Sequence, residues 1–144
     1  MRYAYPATLT RDADRRIVVA FPDVPEALTD GADEAEALRE AQDALAAALA
    51  GYVQARRALP KPSAARGRPL VPVPPGVAAK LALYQAMRRQ EVSNMELGRR
   101  LGVTEAVVRR LLDPDHASRI EGLHAALAAL DVELVVEDRQ WGQA

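Results

Sequence analysis

Residues 94–113 read NMELGRRLGVTEAVVRRLLD, two short helical patterns separated by a glycine-containing turn. The apolar side chains that would seal two crossed helices are Leu97, Leu101, Val103, Val108 and Leu111. Gly98 is small where the helices would cross, and Gly102 suits a positive φ in the turn. Thr104 is a favourable N-cap for the second helix. Two helices joined in this way predict a helix-turn-helix unit.

The predicted second helix carries polar and small side chains on the face away from this core. They are Thr104, Glu105, Ala106, Arg109 and Arg110. Arginine can bond to O6 and N7 of guanine, and alanine is small enough to contact a thymine methyl group. Ser93 and Asn94, where the preceding helix begins, would hold a phosphate through backbone N–H groups. These seven residues are the predicted DNA-binding set; an inert helical bundle or a pure dimerisation unit is the alternative.

The charge distribution favours the DNA-binding interpretation. The 144 residues have a net charge of −1, which excludes a globally basic nucleic-acid binder. Residues 77–120 nevertheless contain eight basic and five acidic residues, whereas residues 1–58 contain seven basic and ten acidic ones. Residues 121–144 hold one base and five acids. The neutral total therefore conceals a basic zone between acidic ends.

Composition excludes several other classes of function. The absence of cysteine excludes disulfides, thiol catalysis and thiolate metal sites. No apolar run approaches about 18 residues, and the first residues lack the apolar core of a signal peptide, so we expect a soluble cytoplasmic protein. His116 and His124 have no accompanying carboxylate pattern, and we expect neither a metal nor a cofactor. Trp141 is expected to serve packing or an interface.

Periodicity divides the chain into two parts around a proline-rich stretch. Residues 1–58 predict a hairpin of strands 2–10 and 17–21, a turn at 29–31, and a helix of about 24 residues capped by Asp33 and Glu36. Residues 59–76 predict a hinge with a possible edge strand at 70–73. Residues 77–144 predict helices at about 77–90, 94–101, 105–112 and 119–130, with Ser118 and Glu121 as a further capping box. Last comes a strand, Val132–Glu137, whose apolar face would pair with a second copy.

The N-terminal part resembles HicB-type antitoxins of toxin–antitoxin pairs over about residues 3–75. The resemblance rests on Tyr5-Pro6, on residues 21–31 (FPDVPEALTDG), on the acidic helix start at residues 33–38, and on residues 59–63 (LPKPS). It implies an α+β fold: an N-terminal partial ribonuclease-H-like β-β-β-α-β module and, as one of the family's two DNA-binding appendages, a C-terminal all-α helix-turn-helix domain, here with a terminal β-strand. It also implies a protein that is not an enzyme. The first strand agrees, because it lacks the carboxylate that a two-metal nuclease needs.

The resemblance further implies a HicA-type toxin, a small basic ribonuclease, as partner. An acidic module would complement such a surface, and the candidate toxin-binding residues are Asp23, Glu26, Asp30 and Glu34. The expected antitoxin would also bind operator double-stranded DNA as a homodimer or tetramer, repress its own operon, and be associated with the nucleoid while bound. Two alternatives stay open: a stand-alone repressor whose N-terminal module senses a ligand, and an enzyme with a degenerate nuclease domain.

Overall fold

The computed structural model describes residues 1–140, and Trp141 lies outside them. The elements in chain order are β1 (Ala4–Pro6), β2 (Thr8–Arg11), β3 (Ile17–Ala20), β4 (Leu28–Gly31), α1 (Glu34–Gln54), β5 (Leu70–Pro72), α2 (Pro75–Gln90), α3 (Asn94–Leu101), α4 (Glu105–Leu112) and α5 (Ile120–Ala128). Strands and one helix precede a run of helices, which confirms the predicted α+β class. Within residues 1–140, no helix is both long and apolar enough to cross a membrane.

The N-terminal strands form two antiparallel sheets. β1 pairs with β5, with Tyr5 opposite Val71, and β2–β3–β4 form a three-stranded sheet. The single strand predicted at residues 2–10 is therefore divided at Ala7, whose N–H donates to Pro69 O. Pro6 has no N–H to extend the pairing with β5, and beyond Ala7 the chain pairs with β3 instead.

The turn predicted at residues 29–31 is wrong, because these residues belong to strand β4. Thr29 lies opposite Val19 and Asp30 opposite Val18. Gly31 ends the strand where helix α1 comes very close: a Cβ on Gly31 would lie 2.4 Å from Ala37 N. The glycine is needed for this approach, which explains why a turn-like sequence occurs in a strand.

Helix α1 covers the N-terminal sheet. Asp33 Oδ1 accepts from Glu36 N at 2.8 Å, and Glu36 Oε2 accepts from Ala32 N at 3.1 Å, so the predicted helix start is confirmed. The buried face of α1 consists of Ala37, Ala41, Leu45, Leu49, Ala50 and Tyr52. It packs against Tyr5, Val19 and Phe21 to form the first core. The helix has 21 residues, slightly fewer than predicted.

Residues 59–76 lie on the N-terminal module. β5 occupies the place of the predicted edge strand. Asp23 Oδ2 accepts from Ser63 N at 2.8 Å and from Ser63 Oγ at 2.9 Å, so this stretch is anchored at both ends. The boundaries at residues 58 and 77 stay a prediction.

The second core lies among the C-terminal helices, and α2 contributes to both cores. Leu81 and Tyr84 belong to the first core, whereas Leu83 and Met87 belong to the second. The bounds of the four helices agree with the predicted ones within two residues. The capping box predicted at Ser118 is wrong: α5 follows Arg119 without a side-chain cap, because the Ser118 hydroxyl binds Lys80 instead.

The strand predicted at Val132–Glu137 is absent from the single chain. Strands need a neighbouring strand for their backbone hydrogen bonds, and those of residues 1–140 are all in the N-terminal module. Val132 and Leu134 are half-buried against the second core, while Val135 and Val136 are each 82% exposed. Pairing with a second copy stays a prediction.

Candidate functional site

The site is built on α3 and α4, joined by a three-residue turn. Gly102 adopts φ +69° and ends α3, and Val103 N donates to Gly98 O at 2.9 Å. A Cβ on Gly98 would lie 2.9 Å from Val103 O, which confirms that a small residue is needed at this crossing. The turn is therefore held against α3 by its own backbone.

The apolar positions of the unit are buried to different degrees. Leu97 and Val108 are completely buried, and Leu101 and Leu111 are half-buried. Val103 does not seal the unit as predicted, since it is 38% exposed. It is fixed by its backbone N–H, which donates to Gly98 O, while its side chain lies outside the core.

The exposed face of α4 carries the predicted DNA-binding residues. Thr104 caps the helix, and its hydroxyl accepts from Val107 N at 3.4 Å. At about 100° per residue, the four other predicted residues of α4 lie within roughly 140° of the helix circumference, on the side away from the buried Val108. They are Glu105, Ala106, Arg109 and Arg110, of which only Ala106 is half-buried. The structure thus brings the predicted set of α4 together on one open surface.

Ion pairs modify the charge of this surface. Glu96 accepts from Arg99 at 2.6 and 2.8 Å and from Arg100 at 3.0 Å. The two guanidinium groups lower the pKa of Glu96 to about 2. Glu105 lies 3.5 Å from Arg109. Arg110 makes no ion pair with any residue of 1–140 and is the least compensated cation of α4.

The start of α3 lies beside a groove with basic walls. Ser93 Oγ accepts from Glu96 N at 3.1 Å, so the serine hydroxyl is used as a cap and Asn94 begins the helix. The groove runs between the C-terminal ends of α1 and α2, and its charged lining residues are Arg56, Lys61, Arg88, Arg89, Glu91 and Glu105. Both predicted phosphate-binding residues therefore line a groove in which basic side chains outnumber acidic ones.

Lys80 is the residue at this site that sequence reasoning missed. Its side chain projects from α2 and its ammonium binds the C-terminal end of α4 and Ser118, with 3% of the residue exposed. Burial lowers its pKa, and the charge of Asp113 opposes that effect. The signal in the sequence was a single charge within the apolar run of residues 77–83.

The four candidate toxin-binding acids do not form one cluster. Asp23 and Glu26 lie in the loop before β4, and Glu26 accepts from the hydroxyl of Tyr52 near the end of α1. Glu34 lies at the start of α1, about 27 Å along the helix from Tyr52 at 1.5 Å per residue. The acids therefore occupy both ends of the module.

Three of these acids have partners within the chain. Asp23 binds Ser63, as described above. Asp30 accepts from Arg16 Nε at 2.8 Å, and this hydrogen bond lowers the pKa of Asp30. A hydrogen bond to its own backbone, followed by the one from Tyr52, lowers the pKa of Glu26. Glu34 has no hydrogen-bond or ion-pair partner among residues 1–140, so it is the acid most accessible to another molecule.

The part of the chain that the structure describes contains no group of three or more His, Asp or Glu side chains placed to hold a metal ion. His116 and His124 are both exposed. β1 and β2 carry no acidic residue.

Comparison with known proteins agrees with this architecture. The family model for the HicB-like antitoxin of bacterial toxin–antitoxin systems matches residues 4–82. Antitoxin HicB 2 of Photorhabdus laumondii subsp. laumondii is 40% identical over 130 residues, 90% of this chain and 92% of its own. Antitoxin HicB of Escherichia coli is 37% identical over 131 residues, 90% of this chain and 95% of its own. The match of the family model to residues 4–82 and the similarity to these relatives together show that this chain belongs to the HicB-like antitoxin family.

Proposed function

We propose that this chain neutralises a HicA-type toxin by binding it and represses its own operon by binding operator DNA. The observation that carries the DNA-binding part is the pair α3 and α4, in which a fixed glycine turn presents an open, arginine-bearing helix face. Such an arrangement is that of a helix-turn-helix unit with α4 as the recognition helix.

The residues of α4 have chemistry suited to the major groove. Arg109 and Arg110 each supply a guanidinium group for O6 and N7 of guanine, and Ala106 fits a thymine methyl group. Glu105 accepts from cytosine N4 once Arg109 turns to a base, and Thr104 lies at the helix start. Ser93 and Asn94 bind phosphate through the first N–H groups of α3.

A homodimer would present two recognition helices to the operator. Half-sites on a palindrome lie about 34 Å apart, so each subunit reads one half. In a strand, Val132, Leu134 and Val136 would lie on one face, and the exposed Val136 would extend this apolar side towards its symmetry mate. Pairs of dimers could extend this arrangement to a tetramer.

The N-terminal module is the proposed toxin-binding part. Its excess of acids complements a basic nuclease and accelerates association. Among the candidates Asp23, Glu26, Asp30 and Glu34, only Glu34 needs no rearrangement to meet a toxin cation. We assign the module no catalytic step, because its first strands lack the carboxylates of two-metal nucleases. These roles place the protein in the cytoplasm, on the nucleoid while it binds DNA.

The DNA-binding proposal is tested with the duplex immediately upstream of the chain's own reading frame. We expect Arg109→Ala to weaken binding to this duplex about tenfold or more, as the loss of one bidentate base contact requires, while binding to unrelated duplex changes little. Arg39 is an exposed arginine of α1, so Arg39→Ala is the matched control and should bind like wild type. An unchanged footprint for Arg109→Ala would remove it from the recognition set.

The toxin-binding proposal is tested by coexpression with the small neighbouring reading frame. A basic partner should co-purify with the chain and regain ribonuclease activity when separated from it. Glu34→Lys should slow association, most strongly at low salt, whereas Glu121→Lys on α5 should not. No stable complex with any neighbouring product would contradict this part of the proposal.

A further inference from the structure

Lys80 connects helix α2 with the end of the proposed recognition helix. Its Nζ donates to Arg110 O at 2.7 Å, to Leu111 O at 3.2 Å and to Ser118 Oγ at 2.7 Å. An ammonium group has three donors, and all three are used. Two of the acceptors are backbone carbonyls in the last turn of α4, and one of them belongs to Arg110, a predicted base-reading residue.

The ammonium group lies at the negative end of the α4 dipole, which favours its charge, and Asp113 acts in the same direction while burial opposes both. The last carbonyl groups of a helix have no partners within the helix and carry the negative end of its dipole. Among residues 1–140, the ion pairs found do not include Lys80. Its charge is compensated by the carbonyls of α4, so the ammonium group is bound to the helix end itself.

The other end of the connection is rigid, because α2 is held by both cores. Leu81 and Tyr84 pack in the first core, and Leu83 packs in the second. Tyr3 of the N-terminal module also donates to Gln85 of α2, at 2.6 Å. A short link therefore joins α4 to a fixed helix, in addition to the packing of Val108 in the second core.

We propose that Lys80 is a positioning residue for operator recognition: its ammonium group fixes the C-terminal turn of α4 against α2 and so sets the directions in which Arg109 and Arg110 leave the helix. This inference rests on the proposed DNA-binding function. Lys80 is buried and all three of its donors are used within the chain, so its effect acts through the geometry of α4.

The test compares Lys80→Met with wild type on two duplexes, the one upstream of the chain's own gene and an unrelated one. We expect binding to the upstream duplex to weaken about tenfold or more, with binding to the unrelated duplex and the salt slope of binding unchanged. A lysine that contacted phosphate would instead reduce the salt slope by about one. The proposal would be overturned if a Lys80→Met variant that is folded, as measured by circular dichroism, binds the upstream duplex as tightly as wild type.

A second variant separates positioning from simple stability. Ser118→Ala removes one acceptor of Lys80 and the long 3.5 Å hydrogen bond from its own hydroxyl to Arg110 O, but it leaves both bonds from Lys80 to α4, so it should lower stability and keep the binding ratio of the two duplexes. If Lys80→Met does not fold, Lys80→Gln takes its place, because glutamine retains two donors on a shorter side chain. Its binding should also become less selective for the upstream duplex, but to a smaller extent. A Ser118→Ala variant that loses the ratio as strongly as the Lys80 variants would overturn the specific role.

Hydrogen exchange distinguishes failure of this inference from failure of the proposed function. The amides in the last turn of α4 should exchange faster in Lys80→Met, while those of α1 keep their protection. This readout needs no DNA. If wild type binds neither duplex, the DNA-binding proposal fails, and unchanged exchange in α4 refutes the positioning role separately.

Discussion

Gly98→Ala tests the close crossing of α3 and α4. The new methyl group would lie 2.9 Å from Val103 O, roughly 0.4 Å or more inside the distance of about 3.3 Å at which carbon and a carbonyl oxygen usually meet. The turn cannot move away freely, because Val103 N is bonded to Gly98 O. The methyl group therefore has to displace the turn at Val103 and Thr104, and with it the start of α4.

Two opposing effects determine the size of the change. Alanine stabilises a helix interior by about 1 kcal/mol relative to glycine. Overpacking of a tight contact costs about 1–3 kcal/mol, and the contact here is with backbone, which adjusts less easily than a side-chain end. We expect a net loss of about 1 kcal/mol in the free energy of unfolding, with weaker operator binding because the angle of α4 changes.

The assay is urea unfolding followed by circular dichroism at a fixed protomer concentration, because dimerisation would make stability depend on concentration. Gly51→Ala is the matched control. Its Cβ would meet nothing within 4 Å, so it should gain about 0.5–1 kcal/mol from helix propensity alone. If Gly98→Ala is stabilised as much as Gly51→Ala, the close crossing of α3 and α4 is refuted.

Three further predictions concern the cores and the ionised groups. Leu45→Ala should lower the free energy of unfolding, measured by urea unfolding, by about 2–5 kcal/mol, because Leu45 is completely buried. A change near zero, as expected for an exposed side chain, would contradict its place in the core. The Glu96 carboxyl should titrate by NMR at about pH 2, and Arg99→Ala should raise this midpoint. Since the folded pKa is lowered, the stabilisation by Glu96 is complete above its ordinary pKa of 4.5 and is lost as pH falls towards 2. Tyr52→Phe removes the hydroxyl that donates to Glu26 and should raise the pKa of Glu26 in an NMR titration, with Tyr3→Phe, whose hydroxyl binds Gln85, as a control that leaves it unchanged.

Local signals in the sequence were sufficient for the helices. Ser93, Thr104 and Asp33 cap their helices through the side-chain bonds that their residue types predict. Gly102 supplies the positive φ of the turn, and Asp131 adopts φ +58° after α5, as expected for residues that tolerate this region. Each of these features depends on residues only a few positions apart, which makes them readable from sequence.

Features that depend on distant partners were not predictable in the same way. β4 is a strand because β3 lies beside it and Gly31 admits α1, although its composition is that of a turn. Ser118 has the sequence of a helix cap, but an ammonium group 38 positions earlier takes its hydroxyl. The pairing of three candidate acids with Arg16, Tyr52 and Ser63 likewise depends on tertiary contacts. The DNA-binding and toxin-binding residues stay predictions.

The sharing of α2 between both cores limits how such proteins can exchange parts. Consider a gene fusion that joins the first half of one relative to the second half of another within residues 59–76. Helix α2 would then pack against partners of different origin on its two faces. One face would have to fit a foreign sheet, through Leu81 and Tyr84. A junction after Gln90 would keep that face with its native sheet but would give Leu83, Met87 and the Lys80 bonds foreign partners in α3–α5, so each junction separates α2 from one of its two cores.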